Sequence, residues 1–189
     1  EVSHSFFLNR LLKFYQKKSN ENNLGIPKSC VDIIIDMSSI CDDATREGPL
    51  TEIMLNFIKD QHKWVKIPAY KNLGPFIAAL KGRIINERLL EAYFRMSTHE
   101  INDLSLENEI FYSCAYNFPA VLYTWALQLV DPDPTYQRLL KVPDKKIKKT
   151  LANSLHEIAK IIGEQNTRNY LFNILDSFLK DPSTFTAYC

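Results

Sequence analysis

Hydrophobic positions in this chain recur at steps of three and four, most plainly between Lys59 and Leu80. There Val65, Ala69, Leu73, Phe76, Ile77 and Leu80 fall on one face of a helix. Asp60 closes the apolar helix before it, and Trp64-Val65-Lys66 opens the new one. Pro68 fits the first turn of that helix, whereas Pro75 lies inside and is expected to bend it.

The same period predicts helices along most of the chain. Ser5–Lys17 is broadly apolar, and Lys17–Asn23 follows as a polar turn. Ile26 opens a second helix with Cys30, Val31, Ile33, Ile34, Met37 and Ile40 on its apolar side. Asp42–Pro49 reads as a loop rich in turn formers, leading into Leu50, Ile53, Met54, Leu55, Phe57 and Ile58. After a basic joint at Lys81–Asn86, Arg88–Arg95 is a short helix and residues 97–108 a long polar connection. Ile110–Leu129 is the next long apolar helix, with Pro119 inside it, and Trp125 and Tyr123 assigned to the core. DPDP at 131–134 stops that helix. Thr135–Lys141 and Ile147–Ile162 follow, with Gly163 at a C-terminal cap. Thr167 is expected to N-cap a last helix facing the core through Tyr170, Leu171, Ile174, Leu175, Phe178 and Leu179. Lys180-Asp181-Pro182 repeats the Lys59-Asp60 corner.

The β-branched residues opening successive second helices, Ile26, Val65, Ile110 and Ile147, stand 39, 45 and 37 residues apart. No strand alternation competes with this spacing. Helix hairpins recurring every forty residues or so stack side by side, each burying its apolar face against its neighbours. The expected fold is therefore all-α: a HEAT-type α-solenoid, a right-handed superhelix of antiparallel helix pairs in four to five repeats. Approximate units are 1–45, 46–86, 87–131, 132–165 and a partial 166–189. The sequence starts in an apolar helix and stops after Ala187-Tyr188-Cys189, so it reads as part of a longer array whose end repeats would expose apolar faces.

Composition narrows the function. Of 189 residues 46% are hydrophobic, only five are glycine, and the net charge is +1. That balance argues against non-specific nucleic-acid binding, which needs a strong basic excess. No run approaches eighteen apolar residues, and the first residues lack a signal-peptide pattern, so neither a membrane partner nor secretion is expected. Cys30, Cys41, Cys114 and Cys189 make no CxxC pair and read as packed thiols of an intracellular protein, cytoplasmic or nuclear.

Catalytic patterns fail. His99-Glu100 and His156-Glu157 each begin an HExxH-like string, but Asp103 and Lys160 stand where the second histidine belongs. His4 and His62 sit at helix ends without an evident partner. No glycine-rich phosphate loop and no GxSxG elbow occurs, so no enzyme and no cofactor is expected. The charged corners are more telling. Lys145, Lys146, Lys148 and Lys149 cluster at one helix start, and Lys63 and Lys66 flank Trp64 at another. Equivalent corners of a solenoid line up, so these lysines make a candidate basic ridge for an acidic partner, with Trp64 as an anchor. The plainer reading is a solvated helix start. Four lysines near a positive dipole end carry a small local cost, which favours a functional reading.

Three ordered strings, KWVKIPAYKNLGPFIAAL, SCAYNFPAV and KTLANSLHEIAKIIG, resemble the HEAT-repeat regulatory subunits of protein phosphatase 4, of the subunit 1 kind; CAYNFPA is also similar to the subunit 4 kind. The likeness covers roughly Ile26–Asp181. It implies a non-catalytic subunit that binds the phosphatase 4 catalytic subunit and directs its serine/threonine dephosphorylation, touching phosphoprotein substrates only indirectly. Two departures stand out: the basic residue after the opening β-branched one is Pro27 and Phe111 in two units, and the long acidic insert of subunit 1 is absent. Other readings are a HEAT-repeat scaffold or transport adaptor with a different client, and a solenoid that excises damaged bases, against which the near-neutral charge argues.

Overall fold

Two aspartates show how local chemistry starts the helices. Asp42 lies in extended backbone and accepts from the Thr45 amide at 2.8 Å and from its hydroxyl at 2.9 Å. Asp144, also extended, accepts from the amides of Lys146 at 2.7 Å and Ile147 at 3.1 Å. Each carboxylate satisfies donors that a helix leaves without an internal partner.

The computed structural model describes residues 25–80, 85–98, 104–126 and 134–180, together with Phe6, Arg10 and Lys13. The expected first helix over Ser5–Lys17, the polar turn after it, most of the basic joint, His4 and His99, DPDP, the Asp181-Pro182 corner and Cys189 lie outside the described residues or nearly so. The chain divides into two compact units, Glu1–Tyr93 and Phe94–Cys189.

In the first unit, α1 (Gly25–Ile40) packs on α3 (Lys63–Ala78), and α2 (Thr51–Ile58) packs on α3 across the short joint at Lys59–His62. Ile34, Leu50, Met54, Phe57, Leu73 and Phe76 form its core. All six positions of the opening stretch, from Val65 to Leu80, are buried as the spacing requires. Helix α4 (Glu87–Arg95) follows, started by Asn86, whose side chain accepts from the Arg88 amide at 2.9 Å.

In the second unit, α5 (Leu104–Ala126) packs on α7 (Lys145–Asn166), with the short α6 (Pro134–Leu140) between them in sequence and touching both. Phe111, Cys114, Leu139, Ile147, Leu151 and Ile158 are buried there. The Tyr136 hydroxyl donates to the Leu151 carbonyl at 3.2 Å, tying α6 to α7. Helix α8 (Phe172–Lys180) closes the described chain. Both units thus repeat one plan: two long helices side by side, with a shorter helix preceding the second and paired with it. The fold class is the expected one, all-α, and within each unit the long helices lie side by side as stacked pairs of an α-solenoid do.

Several local expectations are corrected. Asp42–Pro49 is not a loop: after the Asp42 cap the chain runs helical through Asp43–Thr45 and a π-helical turn, Arg46–Leu50, into α2. Aspartate, read as a turn former, here serves as a cap, and Pro49 lies inside the helical run, in its π turn. Thr51 Oγ1 donates to the Arg46 carbonyl at 3.0 Å, a side-chain donor in a turn where Pro49 has no N–H to give. Ile110 does not open its helix: α5 begins at Leu104, so the Ile110 register mark lies one and a half turns inside. Val65 and Ile147 each stand third in their helices, and that correspondence holds.

At the far end, Thr167 is no cap. Its backbone is already helical, and its hydroxyl donates back to the carbonyls of Gly163 at 2.7 Å and Ala159 at 3.2 Å. The break is at Gly163 itself, at φ 79° and ψ 172°. Tyr123, Ile40, Tyr170, Leu175 and Leu179 were expected in the core and are exposed. In α8 the buried side is narrower than its apolar content, only Leu171 in the π turn before it, Ile174 and Phe178.

Candidate interaction site

The first candidate corner is built by Asp60. Its Oδ1 accepts from the His62 amide at 2.7 Å and lies 2.8 Å from His62 Nδ1, which fixes the imidazole at the mouth of α3. His62 therefore has a partner, contrary to expectation. The Trp64 ring packs beside that imidazole, with centroids 4.9 Å apart and planes tilted by 35°. Trp64 is half-buried, Lys63 exposed and Lys66 half-buried. The corner offers a tryptophan edge and two cations, seated on the buried Val65.

The second corner starts α7. Lys145, Lys146 and Lys149 are exposed, Lys148 is half-exposed, and Ile147 between them is buried. Asp144 places its carboxylate beside these amides, so the positive end of the helix carries an anion as well as four cations. Lys146 folds against α5, its Nζ 3.9 Å from the centre of the Tyr112 ring, a cation–π contact. Lys63, Trp64 and Lys66 belong to the first unit and the Lys145–Lys149 corner to the second.

Sequence reasoning did not find the cleft that this lysine borders. Between α5 and α7 lies an open depression of about 460 Å³ lined by Tyr112, Tyr116, Asn117, Thr150, Asn153 and Glu157, among others. The Tyr112 and Tyr116 rings stack with centroids 6.1 Å apart, and Tyr116 is 65% exposed. The readable signal was tyrosine at 112 and 116, four apart and so on one helical side. A second depression, of about 450 Å³ and almost wholly apolar, runs between α7 and α8 past Leu155, Ala159, Leu171, Phe172, Leu175 and Leu179.

The described cysteines, Cys30, Cys41 and Cys114, are buried and unbridged. Burial raises the Cys30 thiol above its usual pKa. Burial also raises Cys41, helped by Asp42 and opposed by Arg46. Such thiols stay protonated near neutral pH and are poor nucleophiles. Among the described residues, no three His, Cys, Asp or Glu side chains gather closely enough to hold a metal ion, and no helix is long and apolar enough to cross a membrane.

Three curated proteins share sequence with this chain: serine/threonine-protein phosphatase 4 regulatory subunit 1 of Homo sapiens, Mus musculus and Rattus norvegicus, each 35% identical over 99 residues. This is a relation to a phosphatase regulatory subunit. The match takes in 52% of this chain and spans about a tenth of the length of those relatives. No family model matches the chain, and no solved structure matches it.

Proposed function

We propose that this chain is a non-catalytic, HEAT-repeat regulatory or scaffold segment that binds the catalytic subunit of a phosphatase 4 type serine/threonine phosphatase and directs its activity. The observation that carries the reading is the 35% identity to phosphatase 4 regulatory subunit 1, which extends over half of the chain. An architecture of paired helices supports it, because stacked pairs present long, rigid surfaces without needing a catalytic pocket. In this reading the chain is a single repeat array, and the lysine corners at Lys63, Lys66, Lys145, Lys146, Lys148 and Lys149 meet an acidic surface, with Trp64 as an anchor beside its corner. The protein works inside the cell, where the phosphatase is.

Affinity capture of the tagged protein tests the proposal. Phosphatase 4 catalytic subunit should be present among the co-purifying chains, and its absence overturns the reading. Converting Lys145, Lys146, Lys148 and Lys149 to Glu should weaken capture, and more so at low ionic strength, because charge steering is screened by salt. Unchanged capture at low salt would leave those lysines as ordinary surface. A second reading, a HEAT-repeat adaptor for a different client, draws on one observation: the open cleft between α5 and α7, with the exposed Tyr116 in its wall.

A further inference from the structure

The α5–α7 cleft has a chemistry of its own. Lys146 lies over Tyr112 at one end, while Ala120 and Glu157, later in both helices, line the other. The two helices therefore run in the same direction, and the cleft follows them lengthwise. Its walls carry both acceptors and donors. The Thr150 hydroxyl gives its hydrogen to the Lys146 carbonyl at 2.9 Å, and Ser154 gives its own to the Leu151 carbonyl at 3.1 Å. Asn117 commits one of its two amide hydrogens to the Ser113 carbonyl at 2.8 Å, leaving its oxygen as acceptor and its second N–H as donor. With the Asn117 and Asn153 amides also in the wall, a ligand that matches the cleft has to bring donors and acceptors side by side. Between the charged ends, the exposed face of Tyr116 is a platform for an apolar or planar group.

An extended peptide supplies both, one N–H and one C=O at each residue along its backbone, as strand-like ligands do in other grooves. Glu157 in the wall opposes a polyanion, so a nucleic-acid strand fits poorly. The charges also set a length. Lys146 and Glu157 are eleven positions apart on α7, about 16 Å at the helical rise, which an extended chain covers in about five residues. We propose that this cleft binds an extended peptide segment carrying an acidic side chain at the Lys146 end and a basic side chain about five residues away at the Glu157 end, with an intervening apolar side chain on Tyr116. The proposal goes beyond phosphatase docking and stands or falls separately from it.

Fluorescence anisotropy tests it, with the full chain titrated into a labelled hexapeptide that has aspartate first, lysine last and Ala-Pro-Leu-Ser between. The expected result is saturable binding in low salt that falls about three- to fivefold with Lys146→Glu or with Glu157→Lys. The double variant Lys146→Glu/Glu157→Lys should recover part of the loss, because the reversed charges accept the same peptide running the other way. Tyr116→Ala should weaken binding about fivefold, and Lys160→Glu, on α7 but outside the cleft, should leave it unchanged. No saturable binding overturns the proposal, as does equal affinity for a peptide with lysine at both ends. Binding that tracks only the net charge of the variants, with Lys160→Glu as damaging as Lys146→Glu, overturns it too. Loss of phosphatase capture leaves all of these outcomes untouched.

Discussion

Arg46 Nη2 donates to the carbonyl of Cys41 at 2.6 Å, across the joint where α1 ends and the next helical turn begins. The same guanidinium reaches the Ser38 carbonyl through Nε and Asp43 Oδ1 through Nη1, the latter at 2.6 Å. Arg46 is 95% buried, so one cation satisfies two carbonyls that the end of α1 leaves open and one carboxylate beside them.

That arrangement makes Arg46 the residue on which the α1–α2 joint depends. Arg46→Met keeps the packing stem but strips the donors, leaving two carbonyls and Asp43 to find water at a buried corner. Urea unfolding should show a loss of about 2–3 kcal/mol, less than for a fully buried pair because Asp43 is partly exposed. Arg46→Lys, which can reach one or two of the three acceptors, should fall between. Wild-type stability in Arg46→Met would mean the guanidinium is not holding the joint.

The sequence was legible where apolar spacing alone decides, and less so where side chains choose between cap, turn and helix. Val65 through Leu80 and Leu50 through Ile58 went to the core as read, because a period of three to four names a face without further information. Asp42–Pro49 misled, since aspartate, glycine and proline signal either a loop or a helix start, and only the buried Arg46 tips the balance. Tyr123, Leu175 and Leu179 misled for another reason: apolar character says that a residue can be buried, not that a neighbour is present to bury it. Of the candidate site, the lysine corners were readable as charge. Of the cleft only the Tyr112–Tyr116 spacing was readable, because the rest needs Lys146 of one helix over Tyr112 of another, and sequence spacing is silent on that contact.

Gly163 combines φ 79° with ψ 172°, a region that only glycine enters freely. A Cβ placed there would meet no atom within 4 Å, so a substitution fails through the backbone and not through crowding. Gly163→Ala should therefore cost about 1–3 kcal/mol in chemical unfolding, while a neighbouring exposed change such as Glu164→Ala costs far less. A stable Gly163→Ala protein with an unchanged midpoint would show that the chain straightens there at no cost.

Asp144 is the counterweight to the lysine cluster. Its carboxylate accepts from two amides at the start of α7, where four lysines otherwise stack like charge on the positive end of the helix. Asp144→Asn retains the acceptor and removes the charge; Asp144→Ala removes both. Thermal unfolding should rank them wild type, Asn, Ala, with about 1 kcal/mol lost in the alanine variant. Raising the salt should narrow the gap between wild type and Asn but not that between Asn and Ala, because salt screens the lysines and leaves the hydrogen bonds intact. A gap between Asn and Ala that closes in salt would contradict the cap.

Cys30 and Cys41 predict the alkaline side of the stability curve. Burial raises both thiols in the folded state, so the folded protein holds their protons more tightly than the unfolded chain does. A group raised on folding contributes stability that is fully present below its unfolded pKa, about 8.5 for a thiol, and that is lost as pH rises through the folded value. Unfolding free energy should hence be level from about pH 6 to 8 on account of these two groups and fall above about pH 9. Cys30→Ala should flatten the fall while lowering the plateau, since it trades an ionisable thiol for a small cavity. Alkylation by iodoacetamide, followed by peptide mass spectrometry, gives the independent check. Cys30, Cys41 and Cys114 should react far more slowly in the native protein than in urea, and rapid native labelling of Cys30 at neutral pH would contradict its burial.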